Sequence, residues 1–331
     1  MMNSGFNFSF RDVVIVADIW EGQVGPGPLH LRRDLEMTET TTLRQLTDAV
    51  EALGLKFHHY VSPAELGEHA SEHRQDIVLT IYGGQASRNR MALVPAICET
   101  FGLRFLGPDV YGRIIAQDKE VSKRLALDCG VKTPAWRIIR TRDDVRHALR
   151  MNMPVVAKPL MEGSSIGISQ RNLLTSPETI EQFSVELLEA FKQPVIVEEF
   201  VAGREVAYSC IENAGSKAWA FSEVFIEGQP GHFEHRLFDA DEKTAPTVGR
   251  SVRNIDAELN PEDLHALQNF VSAFGAYGYC RVDGRLANGR FHFLEFTPDA
   301  WIAPRGQFAR GFTEKGWTYE RVIGAVLASA G

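Results

Sequence analysis

Lys158 closes an apolar run, Val155-Val156-Ala157-Lys158-Pro159, and leads into Leu160-Met161-Glu162-Gly163-Ser164-Ser165-Ile166-Gly167. Glycines let successive backbone N–H groups turn toward one anion, and serine hydroxyls add donors without bulk, so the loop suits a polyphosphate. The lysine precedes the glycines, unlike the GxxxxGK[ST] spacing, and taken alone the run is more often a flexible hairpin tip. Asp283 in Arg281-Val282-Asp283 and Glu295 in Phe293-Leu294-Glu295-Phe296 flank the turn signal Ala287-Asn288-Gly289. Two carboxylates facing one side of such a hairpin suit magnesium, which takes hard oxygens and phosphate; ion pairs with Arg281 or Arg285 are the competing use. A third run, Val195 to Glu205, is an apolar strand, a tight turn and a second strand. Backbone groups at such a hinge can read an adenine edge and a following carboxylate can hold ribose hydroxyls, although a solvated hairpin has the same pattern.

The elements that must carry these groups fall into three stretches. Residues 12–20, 55–61 and 76–82 read as strands alternating with helices over 41–54, from Ser62-Pro63-Ala64-Glu65, and over 89–101, which implies a parallel, doubly wound sheet. From about Gln117 a helix, the strand Trp136-Arg137-Ile138-Ile139-Arg140, a helix over 142–150, the serine loop, a helix over 177–192 and the strand at 195–201 suggest a small α+β unit. The remainder supplies antiparallel strands, a helix from Pro261 to Tyr277 and an amphipathic helix after Trp317. The Gly/Pro-rich connection over 22–40 is long for a strand-to-helix link and reads either as a substrate lid or as a variable surface loop.

With 331 residues, 35 basic and 43 acidic side chains and a net charge of −8, the composition is that of a globular protein of about two domains by length. An acidic balance without Arg/Lys clusters excludes nucleic acid as main partner. No apolar run approaches the roughly 20 residues that span a bilayer, and the first residues carry no signal-peptide pattern, so a cytoplasmic chain is expected. Cys98, Cys129, Cys210 and Cys280 read as core thiols. His58-His59 and His232/His235 are close enough for a metal but read as core or solvated side chains.

Taken together and in this order, the runs Tyr82-Gly83-Gly84, AQDKEVSKRLALDCG, VVAKPLMEGSSIGIS, VIVEEFVAGREV and RVDGRL…FHFLEF resemble the ATP-grasp superfamily and, within it, the D-alanine:D-alanine ligase family. The resemblance implies three domains, over 1–112, 113–200 and 201–331, with ATP clamped between the central and C-terminal ones. It assigns Lys119 and Lys158 to the phosphates and Ser164, Ser165 and Gly167 to the phosphate loop. Glu198, Glu199 and Val201 would flank adenine, and Glu205 the ribose. Asp283, Glu295 and Thr297 would hold magnesium, for which manganese can substitute, and Arg281 would meet the acyl phosphate. Arg236 stands, by this resemblance, where the family has a lysine on a mobile loop.

The implied activity is an ADP-forming carboxylate-amine ligase acting on small molecules, in an assembly expected to be a homodimer. Departures concentrate where the amino acids would bind. The family's Glu-x-Asn-Thr-x-Pro-Gly reads Glu295-Phe296-Thr297-Pro298-Asp299-Ala300-Trp301. Tyr82, Asp299, Trp301 and Arg305 are therefore candidate contacts for another amino acid-like substrate, in a joining or cyclising reaction of specialised biosynthesis. The alternatives are the D-alanine ligase of cell-wall synthesis and, in another class, a non-catalytic ATP-binding protein.

Overall fold

The computed structural model describes residues 6–21, 32–84, 87–213, 216–244, 249–275 and 277–330, so residues 22–31 of the Gly/Pro-rich connection lie outside it. Strands β1 (Val13–Val16), β4 (Phe57–Tyr60), β5 (Ile77–Thr80) and β6 (Arg104–Phe105) form a sheet in the order β4-β1-β5-β6, and every pairing in it is parallel. β1 and β5 are buried at every position, as continuous Val/Ile/Leu runs covered on both faces must be. Helices α1 (Thr40–Ala52), α2 (Pro63–His69), α3 (Leu93–Phe101) and α4 (Val110–Gln117) accompany them. The expected single strand over 12–20 is broken. Asp18 turns out of the sheet to accept the N–H groups of Gly83 and Gly84, both at 2.9 Å, and the chain resumes as β2 (Ile19–Trp20), paired with β3 (Thr38–Glu39).

The central sheet is antiparallel, in the order β7 (Trp136–Ile139), β10 (Val195–Glu199), β8 (Val155–Pro159), β9 (Leu173–Leu174). Before it runs α5 (Lys119–Asp128), and α7 (Pro177–Phe191) lays Ile180, Phe183 and Leu187 into the core of Val155, Ala157, Val195 and Val197. The helix expected over 142–150 is a 3-10 turn followed by the short α6 (Val145–Ala148).

The third sheet is antiparallel and runs β13 (Arg250–Asn254), β12 (Ser216–Ile226), β11 (Arg204–Asn213), β14 (Tyr279–Ala287), β15 (Arg290–Thr297). α8 (Ala240–Thr244) precedes β13, and α9 (Pro261–Ser272) covers one face and stops at Ser272, short of the expected Tyr277. On the other face, α10 (Gln307–Thr313) and α11 (Tyr319–Ala328) join Ile211 and Tyr279 to Val13, Ile15 and Ile77 of the first sheet in one core. Asn288 and Gly289, at φ 51° and 69°, make the two-residue turn between β14 and β15. That turn puts Asp283 opposite Glu295, with a bulge between Asp283 and Gly284. Among the described residues no helix is long and apolar enough to cross a membrane.

Candidate active site

Arg281, Asp283, Glu295 and Thr297 share one face of the β14–β15 hairpin, Arg281 opposite Thr297 and Asp283 opposite Glu295. Arg281 Nε and Nη2 donate to the two oxygens of Asp283 at 2.6 and 3.0 Å, so the competing ion pair foreseen from the sequence is formed. Thr297 Oγ1 donates to Asp283 Oδ2 at 3.2 Å. Glu295 Oε1 accepts from Lys119 Nζ at 3.2 Å, while among the described residues its Oε2 takes no hydrogen bond. Burial works to raise the Glu295 pKa, but Lys119, Lys158 and Lys243 outweigh it and hold the group ionised. Two in-register carboxylates plus a hydroxyl are the hard-oxygen set magnesium prefers, so these residues fit that ion.

Lys119 opens α5, where the Asp118 side chain caps the N–H of Glu120 at 3.0 Å. Its ammonium also meets the carbonyl of Glu162 in the serine loop. Lys158, near the end of β8 and opposite Ile196 of β10, pairs with Glu198 two residues further along β10. Glu198 is only 2% exposed and also takes Lys123 Nζ at 2.8 Å. Burial alone would raise its pKa, yet the two lysines prevail and hold it at about 2. Burial brings Lys123 down to about 8 against the pull of Glu198. Sequence reasoning passed over Lys123, although its position four residues after Lys119 puts both on one helix face.

Ser164 and Ser165 adopt φ of 50° and 62°, and Gly167 of 80°, where a Cβ would stand 2.5 Å from Phe191 Cζ. Positive φ in two serines stores roughly 1–3 kcal/mol each, a strain typical of ligand-gripping turns. The loop is tied to a cover segment over 228–244. Ser165 Oγ donates to the Phe238 carbonyl at 3.0 Å, Gln170 Nε2 to Leu237 O at 2.8 Å and to Asp239 Oδ2 at 2.7 Å, and Ala240 N to Ile168 O at 3.2 Å. Arg236 of that cover is half exposed, 3.8 Å from Glu242. The cation the cover turns toward the carboxylates is Lys243. Burial first and Arg281 second lower its pKa, with Glu295, Asp283 and Glu205 pulling the other way. Counting from Arg236 misses this, because α8 carries Lys243 inward.

Glu199 accepts from Asn152 N and Nδ2 at 3.3 and 2.8 Å. Glu205 pairs with Arg285, which also reaches the carbonyl of Val201 at 2.9 Å. A cavity of about 340 Å³ opens beside Glu205 beneath residues 228–234.

Asp299 is committed to Arg113, a fully buried side chain of α4 that also donates to Pro108 O at 2.8 Å and Leu106 O at 2.9 Å. Trp301 is 36% exposed, with the Arg305 guanidinium 5.3 Å from its ring centre, and Arg305 pairs with Glu39. Tyr82 is half-buried beside the Asp18 turn. Glu36, from the long connection, is bound by Arg90 Nε and Nη2, both at 2.9 Å, and accepts the N–H of Gly163 at 3.1 Å. His73 is held between Tyr60 at 2.7 Å and Asp76 at 2.8 Å, with His58 packed on its ring. His232 pairs with Glu242 at 2.8 Å. All four cysteines are free thiols.

The family model described as D-ala D-ala ligase C-terminus matches residues 125–328. A D-alanine–D-alanine ligase of Thermotoga petrophila is 29% identical over 260 residues, covering 77% of this chain and 80% of that protein. One from Aquifex aeolicus is 24% identical over 289 residues, covering 86% and 93%. Among solved structures, the D-alanine–D-alanine ligase from Bacillus anthracis complexed with ATP superposes with a TM-score of 0.66 at 16% identity, covering 97% of both chains. The VanG D-Ala:D-Ser ligase from Enterococcus faecalis gives 0.68 at 14% identity, covering 97% of this chain and 100% of that one.

Proposed function

Because the chain belongs to the ATP-grasp D-alanine:D-alanine ligase family, and is therefore an ATP-dependent enzyme that forms C–N bonds, we propose that it works on amino acid-like substrates other than a pair of D-alanines. In this reading the γ-phosphoryl of ATP passes to a carboxylate, giving an acyl phosphate and ADP. An amine then attacks, and phosphate leaves. Lys119, Lys158, Ser164, Ser165 and Gly167 hold the phosphates, with Lys243 closing from the cover. Glu198, Glu199 and Val201 border the adenine and Glu205 the ribose. Asp283, Glu295 and Thr297 would hold magnesium, which when bound neutralises charge on the transferring group. Arg281 lies beside that set and is oriented by Asp283 to stabilise the oxyanion of the tetrahedral intermediate. Cover closure keeps water from the acyl phosphate. Lys158 and Ser165 meet the transferred group, where positioning supplies most of the rate.

The observation that carries the substrate reading is the run after Glu295. Thr297 replaces asparagine, Trp301 stands where the family has glycine, and Asp299 is taken by Arg113. Trp301, Arg305 and Tyr82 then form the substrate wall, with Arg305 able to fork onto a carboxylate. Capture by a nucleophile of the same molecule fits an altered acceptor pocket. The second reading, D-alanine ligation, is favoured by the relatives that carry that name over most of their length. ADP release with D-alanine as sole amino acid separates the two. No turnover is expected, while a panel of other acids and amines yields ADP; robust turnover with D-alanine would reverse the substrate assignment.

A further inference from the structure

We infer that Arg285 is a positioning residue of the nucleotide cleft, which presents the Glu205 carboxylate to the ribose and couples that recognition to closure of the cover. The inference rests on the nucleotide reading above. Arg285 lies two residues beyond Asp283 on β14, and its register partner on β11 is Glu205. It is 2% exposed and lies over the Phe200 ring, 4.7 Å from its centre. Its N–H groups fan out to four acceptors on two stretches of chain, 201–205 and the cover. Nε donates to Glu205 Oε1 at 3.1 Å and Nη1 to the hinge carbonyl of Val201 at 2.9 Å. Nη2 donates to the cover carbonyls of Phe233 at 2.6 Å and Arg236 at 2.8 Å.

A desolvated guanidinium requires acceptors on all its edges, and only a planar fork meets acceptors in so many directions at once; a lysine ammonium cannot. Glu205 is fixed as a result. Its Oε1 is held by Arg285, whereas among the described residues its Oε2 takes no hydrogen bond, and the residue lines the cavity beneath 228–234. A carboxylate with one oxygen anchored and the other open to a cavity is arranged to accept the hydroxyls of a ribose. Lifting the cover would remove two acceptors from the same guanidinium and loosen its grip on Glu205, so sugar recognition and closure become one event.

Calorimetry of ATP and 2′,3′-dideoxyATP binding, with hydrogen exchange over residues 229–244, tests this. Wild type is expected to prefer ATP by about tenfold or more, and Arg285→Lys to bind ATP about tenfold more weakly with the preference reduced to about twofold. ATP should protect the cover amides in wild type and fail to do so in Arg285→Lys. An unchanged preference in the variant overturns the inference, as does a lost preference with cover protection intact. If Arg285→Lys does not fold, the wild type still decides: dideoxyATP protecting the cover as fully as ATP overturns the coupling, and weaker protection supports it. Wild type that bound no ATP at all would instead refute the underlying nucleotide reading.

Discussion

Glu198 sits between Lys123 and Lys158 with almost no solvent, so the three charges stand or fall together. The depressed Glu198 pKa fixes the sign of a pH effect. The unfolded chain takes up this proton near 4.5, the folded chain only near 2, so stability present above pH 4.5 is lost as the pH falls toward 2. Melting temperature followed over that window should drop in the wild type, while Glu198→Gln starts lower and shows a shallower slope. Equal slopes would remove Glu198 as the source. At this scale the motif residues were legible, because a lysine before a serine-glycine loop and a paired Asp and Glu leave short-range patterns. What the sequence hid were the partners. That Lys243 and not Arg236 faces the carboxylates depends on how α8 is seated, and the fan of Arg285 joins residues up to 84 apart along the chain.

Between single residues and the whole lies the β14–β15 hairpin, which holds Arg281, Asp283, Glu295 and Thr297 together only while its register holds. Gly284 marks the bulge that sets this register, and a Cβ there would stand 2.4 Å from Phe291 Cζ and 2.5 Å from the His292 carbonyl. The second contact is backbone and cannot swing away. Gly284→Ala is expected to cost about 2 kcal/mol or more and to abolish ADP formation, read from thermal melting and a coupled assay; full activity would show that the bulge is dispensable. The hairpin itself was readable from Asn288-Gly289 and alternating residues. α4, α10, β9 and β13 were not anticipated, being short segments without strong turn signals, fixed by the surfaces they cover.

Across the molecule, Arg90 joins the first sheet's side to the serine loop. It binds Glu36, donates to the Met161 carbonyl at 3.0 Å and lies 3.5 Å from Glu162, with its side chain 3% exposed. Arg90→Ala removes the guanidinium that pairs with the largely buried Glu36 and is expected to cost on the order of 3 kcal/mol, seen as a lowered melting temperature; an unchanged melting temperature would contradict this role. The alternating order of strands and helices announced the first sheet, but nothing local announced this junction, since residues 36, 90 and 161 meet only once the first two stretches are folded against each other. The pairing of Asp299 with Arg113 has a practical corollary. Anyone transplanting a loop over 297–307 that lacks an acid at 299 would leave the buried α4 guanidinium with its carbonyl acceptors but no counter-charge, so a successful graft must bring its own helix, or a neutral residue at 113, along with the new loop.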